Sequence, residues 1–287
     1  MEHEQIMSRQ LILLFVIVSL MTASPAHAAL DGASSAYEKG DFSSAYIDFK
    51  KSADQGNALS QLHLAVMYDL GQGVRENQTE AMKWYLKAAE QGLDKAELAL
   101  GMKYAGGIGI PRDYSQAIKW YEKAAEQGLP DAQTDLGLLY SQGKGVAQNK
   151  AEAVKWYRKA AEQNYAMGQC NLGLMYARGE GVSQDFSEAV KWFNKAADKG
   201  YVKAQYNLGV AYEKGDGVTH DLKSAYMWYN LAAAQGDSGA RSQLEAISGQ
   251  MTPAQISEAQ LLASQWKPKD QEQESSDFFR IDRSFEK

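Results

Sequence analysis

The chain has 287 residues, 45% of them hydrophobic and 10% aromatic, which is enough apolar side chain for a core and too much for a disordered chain. Thirty Lys and Arg against 36 Asp and Glu give a net charge of -6, so no basic excess exists to hold a phosphate backbone and nucleic acid is not an expected partner. One cysteine, Cys170, and four scattered histidines leave neither an intramolecular disulfide nor a zinc ligand set, and no cofactor is expected.

At the N-terminus, Leu11 to Met21 (LILLFVIVSLM) form one apolar run between Arg9 and the small-residue stretch TASPAHAA. A bilayer-spanning helix needs about 20 apolar residues, so this shorter run reads as the core of a signal peptide. Pro25 breaks the helix just upstream of the cut, and Ala26-His27-Ala28 supplies the small-x-small cleavage pattern. Residues 1–28 are therefore expected to be removed, leaving a mature chain that starts at Ala29 in the periplasm or outside the cell, without stable membrane insertion. No cysteine follows the cut to carry a lipid, and MSRQ from Met7 makes a more conventional opening than the acidic stretch Met1 to Gln5. An uncleaved membrane anchor is the competing reading.

Residues 29–56 are expected to form a shortened helical hairpin, turning at YEKGDFSSA, and residues 57–236 to form five 36-residue repeats. Tryptophan stands at Trp84, Trp120, Trp156, Trp192 and Trp228, each 36 residues after the last. The same period carries Tyr85, Tyr121, Tyr157, Phe193 and Tyr229, then Tyr68, Tyr104, Tyr140, Tyr176 and Tyr212, and alanine pairs from Ala88-Ala89 to Ala232-Ala233. A fixed period of 20 to 50 residues marks a solenoid, whose units bury their apolar sides only against neighbours.

Each repeat reads as two amphipathic helices, for example Asp94 to Ala105 and Tyr114 to Gln127. A G-x-G element joins them, as in Gly107-Ile108-Gly109, where glycine supplies left-handed backbone angles. Asn77, Asp113, Asn149, Asp185 and Asp221 follow as N-caps, and Glu80, Gln116, Glu152 and Glu188 stand three residues on, which predicts capping boxes in four repeats. The second helix is expected to stop at Gly92, Gly128, Asn164, Gly200 or Gly236. Residues 237–266 read as C-terminal capping helices, the last starting at Thr252-Pro253-Ala254-Gln255, and residues 267–287 as a flexible polar tail carrying Phe278, Phe279 and Phe285.

Strings such as NLGLMYARGEGVSQDFSEAVKWFNKAADKG, Asn171 to Gly200, resemble the Sel-one-like repeat, a relative of the tetratricopeptide repeat with a longer inter-helix loop. The resemblance implies an all-α fold, a right-handed α/α superhelix of helical hairpins, used as a scaffold for protein assembly. It also implies export for many bacterial members and roles in envelope signalling or host contact. Cysteine pairs that staple the hairpins of some relatives are absent here, so packing must hold each hairpin.

The KWYxKAA strings could be mistaken for a single-strand nucleic-acid binder, but their aromatics sit at core spacing and their lysines pair with acids, Glu80 with Lys83, Lys123 with Glu126 and Glu188 with Lys191. The G-x-G loops lack both G-x-G-x-x-G and G-K-[ST]. Ser-x-x-Lys pairs occur at Ser141 and Lys144, Ser264 and Lys267, and Ser284 and Lys287, without the K-T-G or S-D-N of a β-lactam-interacting enzyme. Cys170 shares a column with Leu62, Leu98, Thr134 and Tyr206, and His63 shares one with Ala99, Asp135, Asn171 and Asn207, so neither column repeats a reactive or metal-binding type.

The face of the first helix opposite Gly101 and Tyr104 forms a second stripe, which by resemblance to tetratricopeptide arrays lines a concave groove. It offers Leu98, Met102, Leu138, Met167, Leu174, Tyr206 and Val210, with polar Asp131, Asp135, Asn171, Asn207, Lys203, Arg178 and Lys214. Apolar pockets beside amides suit an extended peptide or a partner helix. The expected function is thus a non-enzymatic, exported scaffold that binds a protein or peptide. The alternative is a secreted envelope enzyme acting on cell-wall or β-lactam material through Ser141 or Cys170.

Overall fold

The computed structural model describes residues 25–269. The apolar run at 11–21, the alternative start at Met7 and the tail beyond Lys269, with Phe278, Phe279, Phe285 and the Ser284 pair, lie outside the described residues. Within them are α-helices and no strand: α1 Pro25–Glu38, α2 Phe42–Asp54, α3 Ala58–Leu70, α4 Gln78–Glu90, α5 Asp94–Gly106, α6 Tyr114–Glu126, α7 Pro130–Gln142, α8 Lys150–Glu162, α9 Ala166–Arg178, α10 Phe186–Asp198, α11 Val202–Lys214, α12 Leu222–Ala234, α13 Ser238–Ser248 and α14 Pro253–Gln265. They form two compact units, one ending at Gln127 with α1 to α6, the other starting at Gly128 with α7 to α14. In each unit the helices pair as hairpins, and each hairpin packs on the next through its second helix. No described helix is long and apolar enough to cross a membrane. The Ala26-His27-Ala28 segment falls in the first turn of α1.

Local chemistry sets the helix ends. Each first helix of the five repeats stops at the first glycine of its loop in the left-handed region, as at Gly71 with φ 68° and Gly215 with φ 76°. The second glycine has a different reason: a Cβ on Gly73 would lie 2.1 Å from the Phe42 carbonyl oxygen, and one on Gly217 would lie 2.3 Å from that of Phe186. Loop backbone thus rests directly on the start of the preceding hairpin's second helix. Between hairpins the left-handed residue is glycine except at Asn164, with φ 65°.

The N-caps form as expected, with Asn77 Oδ1 accepting from the Thr79 and Glu80 amides, but the reciprocal half of the predicted capping boxes is replaced. The N-cap amide is already engaged: Asn77, Asp113, Asn149 and Asp185 donate their N–H to the carbonyls of Tyr68, Tyr104, Tyr140 and Tyr176 at 2.8 to 3.0 Å. Glu80, Glu152 and Glu188 instead meet Lys83, Lys155 and Lys191 one turn on. A complete capping box occurs at α14, between Thr252 and Gln255.

The hairpin core is a glycine pressed against an aromatic ring. A Cβ on Gly137, Gly173 or Gly209 would fall 2.7, 2.7 or 2.5 Å from Tyr157, Phe193 or Tyr229. Tyr85 and Tyr229 are fully buried, each worth on the order of 2–3 kcal/mol of transfer free energy. Their hydroxyls find partners in one column of the first helix: Tyr85 donates to Asp69, Tyr157 to Ser141 and Tyr229 to Glu213. Where that column holds Ala177, the ring is Phe193, which has no hydroxyl to satisfy. A second periodic clasp joins the hairpins' ends, with Gln91, Gln127, Gln163 and Gln235 donating to Gln61, Glu97, Gln133 and Gln205 at 2.7 to 2.8 Å.

On the outer side of the second helices, the lysine three residues after each tryptophan lies over its indole ring, at 4.0 Å for Lys87 on Trp84 and 3.9 Å for Lys159 on Trp156. Lys123, expected to pair with Glu126, takes this place over Trp120 at 4.2 Å. In the fifth repeat the lysine is replaced by Leu231. There Trp266, beyond α14, packs edge-on against Trp228 at 6.1 Å, and Lys269 fastens the chain to Asp198 through its amide and its ammonium, both at 2.8 Å.

Candidate partner-binding surface

In the second unit the first helices carry the stripe at matched offsets of four, three and four residues. On α9 these are Met167, Asn171, Leu174 and Arg178, and on α11 they are Lys203, Asn207, Val210 and Lys214. On α7 the matching row holds Asp131, Asp135 and Leu138, and α7 touches α9 directly. Equal spacing places like positions side by side across the three helices.

The structure leaves this stripe open. Leu138 is 40% exposed and Met167 37%, among the few large apolar side chains so placed. Arg178, Lys203 and Lys214 are exposed, while Asp135, Asn171, Leu174 and Val210 are half-buried, each with one side to solvent. Basic groups therefore gather on α9 and α11, opposite the acidic row of α7. Two contacts fix the row's geometry: Tyr165 donates its hydroxyl to Asp131 Oδ1 at 2.6 Å, and Asn207 Nδ2 donates to Cys170 Sγ at 3.7 Å. Burial and the Asp131 carboxylate together push the Tyr165 phenol well above its usual range. Sequence reasoning missed both contacts, since each joins positions 34 or 37 residues apart.

Tyr206 sits differently from its neighbours. Its ring packs 5.7 Å from Tyr229, and an added Cβ on Gly239 would lie 3.4 Å from it, so half of the side chain belongs to the junction with α13. Tyr206 is in the column of Leu62, Thr134 and Cys170, all buried beneath the next hairpin, and it is half-open in the last full repeat. Met102 lies on α5 in the first unit and is half-buried; Leu98 and Ala99 beside it are 7% and 6% exposed, so the stripe expected there is largely covered.

The side chains needed for the enzymatic alternative are engaged in structure. Cys170 is fully buried, and burial pushes its thiol up to about 12, away from thiolate chemistry. Ser141 donates to the Leu138 carbonyl at 2.9 Å and accepts from Tyr157, while Ser264 donates to the Leu261 carbonyl at 2.7 Å. His63 is stacked on Phe49 at 4.4 Å and 7°, inside the first unit. Among the described residues no group of three His, Cys, Asp or Glu could hold a metal ion.

A family model, the Sel1 repeat, matches residues 58–93, 94–129, 130–165, 166–201 and 202–237. The chain is 32% identical to a Sel1 repeat protein of Oxalobacter formigenes, whose crystal structure superposes with a TM-score of 0.72 over 91% of this chain and 99% of that one. It is 34% identical to c5321, a protective antigen of uropathogenic Escherichia coli with an SLR fold, at a TM-score of 0.54 over 77% of this chain and 56% of that one. Among curated proteins none matches the sequence.

Proposed function

The chain belongs to the Sel1 repeat family, whose members are generally protein-interaction scaffolds, and from that premise we propose that it is an exported scaffold which binds a protein or peptide along the first-helix stripe of its second unit. The observation that carries this reading is the pairing of exposed Leu138 and Met167 with half-buried Asn171 on adjacent helices. Apolar side chains held in water gain free energy from a partner's side chains, and an amide beside them can hold a partner's backbone in register. Arg178, Lys203 and Lys214 favour a segment bearing acidic groups where it crosses α9 and α11. Export rests on the N-terminal segment, with its Arg9, its apolar run and the Ala26-His27-Ala28 pattern. The resemblance to bacterial members of the family adds a place in envelope signalling or host contact to this proposal.

Two measurements test the reading. N-terminal sequencing of the protein recovered from periplasm and medium is expected to start at Ala29; recovery from the cytoplasm with residues 1–28 attached overturns export. For binding, the tagged chain and a variant carrying Leu138→Ala, Met167→Ala and Asn171→Ala are compared in cross-linked capture from envelope extract. A partner held by the parent and lost by the variant, with the circular dichroism of the two superimposable, supports the stripe. Equal capture removes it.

A further inference from the structure

Five repeats built on the same tryptophan, tyrosine, glycine and alanine columns present each hairpin with several near-equivalent faces to stack on. One interface is unlike the rest. Where the first repeat meets the second, Lys103 Nζ on α5 lies 2.7 Å from Asp69 Oδ1 on α3, with side chains only 5% and 4% exposed. Lys103 also donates to Gln78 Oε1 at 3.0 Å, and Gln78 Nε2 returns a bond to the Asp69 carbonyl at 3.2 Å. The fully buried Tyr85 gives its hydroxyl to Asp69 Oδ2 at 3.2 Å, and Lys103 Nζ stands 5.6 Å from that ring. Gln78 is seated by the next repeat's loop, since a Cβ on Gly109 would lie 2.7 Å from it.

No other repeat can reproduce this set. In the column of Lys103 stand Met67, Leu139, Met175 and Ala211, and in the column of Asp69 stand Ala105, Ser141, Ala177 and Glu213. We propose that the Asp69–Lys103 pair is a register lock, which lets the second repeat stack on the first and rejects every other repeat in that place. Any other repeat in the second's place would leave the Asp69 carboxylate facing Met67, Leu139, Met175 or Ala211, and the second repeat placed on the second, third or fourth would bury the Lys103 ammonium against Ala105, Ser141 or Ala177 without a carboxylate. A lone buried charge is far more unfavourable than a matched apolar contact, so the penalty falls on the wrong arrangement only. An uncharged pair can hold the correct interface, as Ser141, Tyr157 and Met175 do in the second unit, but would not discriminate. The lock thus acts on the choice among stacks, in the manner of a single polar residue that sets register in a coiled coil.

The test copies that uncharged interface into the first unit of the full chain as Asp69→Ser with Lys103→Met, beside the parent and the single variant Lys103→Met. The double variant is expected to keep a thermal midpoint within about 3 °C of the parent or above it. On refolding from urea at rising protein concentration, its yield of misassembled oligomers by light scattering is expected to exceed the parent's at least about tenfold. Exchange in correct register occurs in both chains, so the excess alone reports lost discrimination. A double variant that refolds as cleanly as the parent overturns the proposal. One that fails to fold also overturns it, because the pair would then serve stability and not choice.

Discussion

The two units treat the same face of the repeat in opposite ways. In the first unit the stripe is largely filled: His63 and Ala99 are 5% and 6% exposed, Val66 is fully buried and Met102 half-buried, and the same unit holds a buried ion pair between Asp69 and Lys103. In the second unit the His63–Ala99 column carries half-buried Asp135, Asn171 and Asn207, and the Val66–Met102 column carries Leu138, 40% exposed. One 36-residue frame therefore does two jobs, since its glycine, tryptophan and alanine columns fix the hairpin and leave the stripe free to vary. In the first unit the variation is directed inward, and in the second it is directed at solvent.

The largest effect should come from breaking the inward chemistry of the first unit. Lys103→Met alone leaves the Asp69 carboxylate buried without its cation, and about 3–5 kcal/mol of local stability should be lost. Hydrogen exchange of α3 to α5 would show the loss, and an unchanged exchange rate there would mean that water reaches Asp69. Next comes acidification. Burial first, and the neighbouring Lys95 second, hold His63 down at about 4 against a free value near 6.5. Its imidazole meets Phe49 from α2, with Tyr37 from α1 6.1 Å away. The folded state therefore binds fewer protons than the unfolded one between these values, so stability falls as the pH drops from about 6.5 to about 4 and levels off below. The contribution should reach on the order of 3 kcal/mol, and His63→Phe should remove that part of the slope in urea titrations across the range.

Smaller effects probe the second unit. Gly173→Ala places a methyl 2.7 Å from the Phe193 ring, and a loss of about 1–3 kcal/mol in urea unfolding is expected, partly restored by Phe193→Leu. Trp266→Ala uncovers Trp228 and should remove about 1–2 kcal/mol from α12 and α14, as read by their exchange rates. In contrast, Met167→Ala on the open stripe should change stability by less than about 0.5 kcal/mol. A large loss at Met167 would mean that the two units do not differ as described.

Much of the fold is legible in the sequence because each helix end is set locally. Asp94 to Ala105 and Tyr114 to Gln127 were expected as helices and lie within one residue of α5 and α6. The capping boxes failed for a reason no local pattern carries: the tyrosine carbonyl nine residues before each N-cap takes the amide that the glutamate needed. The stripe was legible as a set of columns, but its burial was not. Val66 and Leu138 share one column, and only the packed structure covers the first and leaves the second exposed. Tyr206 shows the limit again, since its column is buried until the last full repeat, where the next hairpin is replaced by α13. The glutamine clasps also recur with the 36-residue period, but glutamine on a helix usually faces water, so the period alone does not tell a clasp from a solvated face.

The central claim is that a partner meets the first-helix stripe of the second unit. A photo-crosslinking side chain placed singly at positions 138, 167, 171 and 178, and at the exposed positions 155 and 191 on the second helices, tests it most directly in the full-length protein within its native cells. Adducts of one common mass from the first four positions, and none from the latter two, are the expected result. Adducts confined to 155 and 191 would contradict the claim and assign recognition to the lysine-bearing second helices.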